Sequence, residues 1–384
     1  MQLPVIESSS QGFTPSDTGP RSIEAVKVLR ISVTDRCNYR CLYCMPAEGV
    51  PWLDKLDILS FEEICDIIRA AIDLHGIRRF KLTGGEPTVR HGLVELVRMI
   101  RTIKGVQDLS LTTNGQLMSD LATPLKNAGL DRVTISLDSL QPERFVRITR
   151  TGSLDAVLKG LDACDAAGFD SLKLNCVTMR GTNDDEAADF ARLSIQRKLT
   201  VRFIEYMPLG DAAVIKNGNP FHETQSADGR ITFNTLKVAS EEIGPAGGCG
   251  AQDRGDVFVS EAEVRASIER ELGELLPVNR DEEAGVGPAV PYRLANHNPR
   301  GRIGFISAMS SPFCDTCNRL RLTANGILRS CLFEGGEVEI RSILRNSALS
   351  ERPKLLAQAM TDCVKLKPDV HSVRGNEQMS RLGG

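Results

Sequence analysis

The strongest constraint in this 384-residue sequence is an alternation, met six times, of a short strand signal with an amphipathic helix signal. Strand candidates lie at 27–34, 77–82, 108–113, 132–138, 171–177 and 200–206. The helix signal is clearest in SFEEICDIIRAAIDLHG (60–76). There Ser60 and Glu63 make a capping box, Phe61, Ile64, Ile67, Ile68, Ala71 and Ile72 fall on one stripe, and Gly76 is a stop. Further helices are read at 91–103, 119–128, 154–167 and 184–197. Strands alternating with helices make parallel βα units. The expectation is an α/β fold, an incomplete (β/α)6 TIM-type barrel. A full barrel needs eight strands, and the repeat stops near residue 208.

Side chains alternate across a strand. In KVLRISVT one face is Leu29, Ile31 and Val33, and the other is Arg30, Ser32 and Thr34. The later strands likewise oppose Phe80 and Leu82 to Arg79 and Lys81, Leu109 and Leu111 to Ser110 and Thr112, and Val133 and Ile135 to Thr134 and Ser136. Leu172, Leu174 and Cys176 oppose Lys173 and Asn175, and the sixth strand adds Arg202. Parallel strands buried on both faces read as continuous apolar runs; these do not. Helices are expected on the apolar faces, with the polar faces lining a cavity. Arg30, Arg79, Lys81, Lys173 and Arg202 in that lining call for an anionic ligand such as a polyphosphate. The alternative is a half-exposed open sheet with solvated charges.

The net charge of −3 gives no global basic field for nucleic acid. No apolar run reaches the roughly 18 residues of a membrane span. Residues 1–20 carry neither a secretory nor a transit pattern and are read as a disordered tail. Residues 21–208 form the partial barrel, and the polar, Gly-rich 209–300 an insertion or linker region. Residues 301–384 form a C-terminal domain. Eleven cysteines, six of them clustered, point to metal or redox chemistry before disulfides, and with no targeting signal read, oxygen-sensitive clusters would imply a cytoplasmic location. Cys65, Cys164, Cys176, Cys249 and Cys363 are scattered and read as small buried hydrophobes.

DRCNYRCLYC holds Cys37, Cys41 and Cys44 directly after the first strand. Three close thiolates can grip three irons of a [4Fe–4S] cube and leave the fourth open. KLTGGEP (81–87) follows the second strand, where two glycines permit close backbone approach and Glu86 adds an acceptor. SSPFCDTCNRLRLTANGILRSCLF (310–333) holds a second trio, Cys314, Cys317 and Cys331. It fits a second open-iron cluster, or a zinc with His297 as fourth ligand. Arg319 and Arg321 share a face on extended chain.

The cysteine loop with the GGEP turn resembles the radical S-adenosylmethionine superfamily, in which the cosubstrate occupies the open iron. Together with LTTNG, ISLDSL, RFIEYMP and the terminal MSRLGG, the pattern is similar to the family that cyclises GTP to open molybdenum cofactor biosynthesis. The resemblance implies two [4Fe–4S] clusters, the first on Cys37, Cys41 and Cys44 and the second on Cys314, Cys317 and Cys331. It implies S-adenosylmethionine contacts from Tyr43, Gly85, Ser136 and Met207. It implies GTP contacts from Arg30, Lys81, Thr112 and Lys173, with Arg319 and Arg321 on the triphosphate and Arg79 and Arg202 as weaker candidates. Gly383 and Gly384 would reach into the active site and serve turnover. A flavodoxin- or ferredoxin-type electron donor, a homodimer, and cyclic pyranopterin monophosphate synthase as the next enzyme are also implied. Three departures stand out: Lys81 replaces the family's usual arginine, losing its fork; VRHGL (89–93) is less basic; and 211–290 is longer. A radical peptide modifier, a ferredoxin-like carrier and a zinc scaffold are the competing readings.

Overall fold

The computed structural model describes residues 19–209, 223–225, 231–233, 257–282, 285–297, 299–333 and 336–371. Most of the expected tail, Cys249, Gly383 and Gly384 lie outside the described residues. The six strands form where the alternation places them: β1 (Val28–Ser32), β2 (Arg79–Thr83), β3 (Asp108–Thr113), β4 (Arg132–Ser136), β5 (Leu172–Thr178) and β6 (Leu199–Glu205). They are neighbours in sequence order and all parallel.

Helix α1 (Phe61–His75) starts at the expected capping box, with the Ser60 amide donating to Glu63 Oε2 at 2.7 Å. It ends at Gly76, whose φ of 65° suits glycine. Helices α2 (Leu93–Thr102), α3 (Met118–Asn127), α5 (Leu154–Ala166) and α6 (Ala187–Gln196) also fall where read. Helix α4 (Pro142–Thr149) was not foreseen, because eight residues are too few to show a period. Helix α7 (Glu261–Leu272) lies inside the stretch read as insertion. Its apolar stripe is only Val264, Ile268 and Leu272.

The remaining strands are β7 (Glu223–Gln225), β8 (Ile231–Phe233), β9 (Leu275–Pro277), β10 (Val290–Leu294), β11 (Arg302–Ile306), β12 (Arg319–Leu322), β13 (Ile327–Arg329) and β14 (Glu337–Glu339). Helices α8 (Arg341–Asn346) and α9 (Arg352–Lys365) complete the chain. β7 and β8 pair only with each other. The two strands missing from the repeat come from the C-terminal segment. β12 adds in parallel to β1, and β11 adds in parallel to β6. Eight parallel strands are thus consecutive, and the sheet stays open between β11 and β12. Antiparallel β13 and β14 extend one edge, and β10 and β9 the other.

The apolar strand faces are wholly buried: Leu29, Ile31, Phe80, Leu82, Leu109, Leu111, Val133, Ile135, Leu174 and Val201. They join helix residues such as Ile64 and Val97, and the C-terminal Leu320, Phe305 and Met360, in one core. α9 packs on α1, where Arg352 Nη1 meets Asp66 Oδ2 at 3.0 Å and the ring of His75 reaches the Ala357 carbonyl at 2.8 Å. Cys65, Cys164, Cys176 and Cys363 are buried free thiols, as read. No helix among the described residues is long and apolar enough to cross a membrane.

Candidate active site

The polar strand faces bound a cavity of about 320 Å³. Arg30, Lys81, Ser110, Thr112, Thr134, Lys173, Asn175 and Arg202 line it. The register explains their convergence: Arg30 stands level with Lys81 and with Arg321, Thr112 with Thr134, and Thr134 with Lys173. Tyr43, Gly85, Ser136 and Met207 line the same space, as do all six clustered cysteines, Arg319 and Arg321. Arg79 is not among the lining residues; Arg132, on the same face as Thr134, stands there with Asp108. Arg132 Nε donates to Asp108 Oδ1 at 2.7 Å. Face alternation would have found Arg132.

Seven cations stand against three carboxylates (Glu86, Asp108 and Asp138) among the described lining residues. Burial lowers the proton affinity of Lys81, and Arg202, Arg30, Arg132 and Lys173 lower it further. Burial, then Arg321, Arg319 and Arg202, do the same to Arg30. Burial and Arg319 bring Arg321 down to about 10. A cavity whose cations weaken one another is built for a polyanion. Thr112 Oγ1 and Asn175 Oδ1 are buried here without a hydrogen-bond partner among the described residues. Native proteins rarely leave such atoms orphaned, so a polar ligand fits.

The cysteine loop is held from several elements. The Gly85 amide donates to the Thr34 carbonyl and the Glu86 amide to the Arg36 carbonyl, both at 2.8 Å. The GGEP glycines are needed for this docking: a Cβ on Gly85 would stand 2.5 Å from the Asp35 and Arg36 carbonyl oxygens, and one on Gly84 2.6 Å from that of Thr34. The carboxylate of Glu86 is occupied, accepting from Thr88, the Thr113 hydroxyl (2.6 Å) and the Asn114 amide (2.6 Å). Tyr39 donates to Gln116 Oε1, and Tyr43 to Asp138 Oδ2 at 2.7 Å. Asp138 also accepts from the Val177 amide at 2.9 Å. Burial overrides both bonds and pushes its carboxyl up to about 6.

Burial pushes the Cys37 thiol up to about 11 and raises Cys41 as well, with the neighbouring Cys44 and Cys37 adding to the shift of Cys41. Buried thiols that raise one another call for a metal to hold them as thiolates. The second trio differs. Burial pushes Cys317 up, but Arg319 and Lys367 overcome it and bring the thiol down to about 7. Arg319 Nη2 lies 3.7 Å from its sulfur, and Lys367 Nζ donates to the Cys317 carbonyl at 2.9 Å. His297 is not among the lining residues; His371 is, its ring stacked 4.0 Å from that of Phe333. No sequence signal pointed to His371. Among the described residues no three His, Cys, Asp or Glu side chains converge as they would on a single metal ion. The first trio is a donor set that suits a cluster, in which every thiolate holds a separate iron.

A parallel sheet with a cysteine loop after β1, docked on a GGEP turn after β2, defines a radical S-adenosylmethionine enzyme. The profile of that superfamily matches residues 31–194, and one described as Molybdenum Cofactor Synthesis C matches 236–373. The fold resembles the crystal structure of Streptococcus suis SuiB bound to S-adenosylmethionine, with a TM-score of 0.50 at 13% identity over 80% of this chain. The match spans only 60% of that structure's length. The chain belongs to the GTP 3′,8-cyclase family. It is 42% identical over 363 residues to the GTP 3′,8-cyclase of Pelotomaculum thermopropionicum, a match spanning 94% of this chain and 98% of that one. It is 41% identical to those of Heliobacterium modesticaldum and Geobacter sulfurreducens, over 94% of this chain and 98% and 97% of theirs.

Proposed function

We propose that this cavity converts GTP to 3′,8-cyclo-7,8-dihydro-GTP, the first step of molybdenum cofactor biosynthesis. One observation carries the reading: both cysteine trios and seven cations open on the same cavity. Cys37, Cys41 and Cys44 would hold the first [4Fe–4S] cluster. With S-adenosylmethionine bound, that cluster supplies a carbon-centred radical able to take a hydrogen atom from an unactivated C–H bond. Gly85, Ser136, Met207 and the Tyr43 ring, braced by Asp138, border the cosubstrate's place. Cys314, Cys317 and Cys331 would hold a second cluster.

The chain's own contribution is positioning. Arg30, Lys81, Lys173, Arg319 and Arg321 hold the triphosphate by charge-assisted hydrogen bonds. Thr112 and Asn175 offer their orphaned oxygens to ribose or base. C3′ loses its hydrogen atom and bonds to C8 of the same nucleotide, and the nucleotide then takes one electron and one proton. Fixing two carbons of one substrate within reach makes the step effectively unimolecular, and a water-poor cavity limits side reactions. Gly383 and Gly384, outside the described residues, would serve turnover. The reaction is that of a lyase, fed by a flavodoxin- or ferredoxin-type donor in the cytoplasm by a homodimer, with cyclic pyranopterin monophosphate synthase taking the product. Divisions near residues 208 and 300 separate the radical-generating and second-cluster parts.

The test is anaerobic incubation of reconstituted protein with dithionite, S-adenosylmethionine and either GTP or ATP, followed by mass spectrometry. 5′-Deoxyadenosine formed in step with loss of GTP and not of ATP is expected. 5′-Deoxyadenosine without GTP loss would overturn the substrate assignment.

A further inference from the structure

Among the described residues, Arg150 is the one non-glycine residue with positive φ, at φ 62° and ψ −35°. That backbone conformation is strained for a residue with a Cβ, and such strain persists only where the surroundings over-determine it. The surroundings here are the cysteine loop. Arg150 ends α4, its amide donating to the Val146 carbonyl at 2.7 Å. From that turn one guanidinium nitrogen, Nη1, donates to the Arg40 carbonyl at 2.7 Å and to the Met45 carbonyl at 3.2 Å. Arg40 immediately precedes Cys41, and Met45 immediately follows Cys44. The side chain therefore ties together the two ends of the C-x2-C segment.

The same turn grips the loop through its backbone. The last carbonyls of a helix lack intrahelical partners. Those of α4 are used: Ile148 accepts from the Leu42 amide and Thr149 from the Arg40 amide, both at 3.0 Å. The Thr151 hydroxyl donates to the Asn38 carbonyl at 2.8 Å. Gly152 packs so close to Tyr39 that a Cβ would stand 2.8 Å from its ring. α4 and its strained end thus form a template that shapes the loop.

We propose that Arg150 is a positioning residue for the first cluster, clamping the chain on either side of Cys41 and Cys44 and holding its guanidinium charge at the carbonyls that flank them. Burial lowers the proton affinity of Arg150, whereas Cys41 and then Glu48 raise it. Loss of outer-shell partners of metal ligands typically weakens metal retention by about 10- to 100-fold. A cation beside a cluster also favours its more negative, reduced form. The inference rests on the cysteine loop holding a cluster and not on GTP being the substrate.

The experiment compares R150M, R150K and R150G in the full reconstituted chain. The readout is the reduced-cluster EPR signal that changes when S-adenosylmethionine is added. In R150M a chelator is expected to remove that signal about 10- to 100-fold faster, and its midpoint potential should become more negative. R150K, which keeps the charge and a donor, should recover most of both. R150G adopts the turn without strain, so its metal-free form should melt no lower than wild type while retention still falls. Wild-type retention and potential in R150M, equal loss in R150K and R150M, or wild-type retention in R150G would each overturn the proposal. Because no readout involves GTP, such a result would leave the substrate assignment standing.

Discussion

Asp138 shows how much one buried carboxyl can report. It braces Tyr43 of the cysteine loop, and burial lifts its carboxyl from 3.8 to about 6. Between those values the native chain holds a proton that the unfolded chain has released. By linkage this contribution makes stability fall as pH rises through that window, by up to about 1.4 kcal/mol per pH unit. Asn at this position removes the titration. Melting of metal-free wild type and D138N should therefore diverge on acidification, wild type gaining relative to the variant from pH about 6 to about 4; parallel curves would contradict the assignment. The partners of such carboxylates were not readable in the sequence: Glu86 was legible as an acceptor, yet its donors Thr113 and Asn114 lie 27 and 28 positions away, beyond any local pattern.

At the scale of strands and helices, the period-2 faces carried most of the information. They foretold the apolar side packed under helices and the cationic side facing inward, because alternation is a property of any strand. They fitted Arg319 and Arg321, read as sharing a face on extended chain where β12 forms, but gave no sign that β12 and β11 join the parallel sheet beside β1 and β6. They failed too at α4, whose importance lies in what docks on it. The cationic face leads to a prediction with two signs. Lys81 is buried among like charges, and its hydrogen bond to the Thr134 hydroxyl is a long 3.5 Å. K81M should raise the melting temperature of ligand-free protein by relieving that repulsion. It should also weaken GTP binding roughly tenfold or more, the worth of a charge-assisted hydrogen bond. Thermal shift with and without GTP reads both; a variant destabilised when empty and unimpaired in binding would contradict the polyanion cavity.

Among the described residues the main core takes in both ends of the chain, with β12 beside β1 and α9 against α1, so the second cysteine trio faces the same cavity as the first. The residues by themselves showed both trios and the cations, and only the resemblance implied that they share a space, since that depends on pairing between residues near 30 and near 320. If each trio holds its own cluster, reconstituted wild type carries about eight irons and C331S about four. The signal that responds to S-adenosylmethionine should survive in C331S; its loss there would mean that the trios are not independent. The most direct test of the central claim uses GTP deuterated at C3′. Incubated anaerobically with dithionite and S-adenosylmethionine, it should transfer its deuterium to 5′-deoxyadenosine, in step with formation of the 3′,8-cyclised nucleotide. Unlabelled 5′-deoxyadenosine, or deuterium retained at C3′ in a consumed nucleotide, would contradict it.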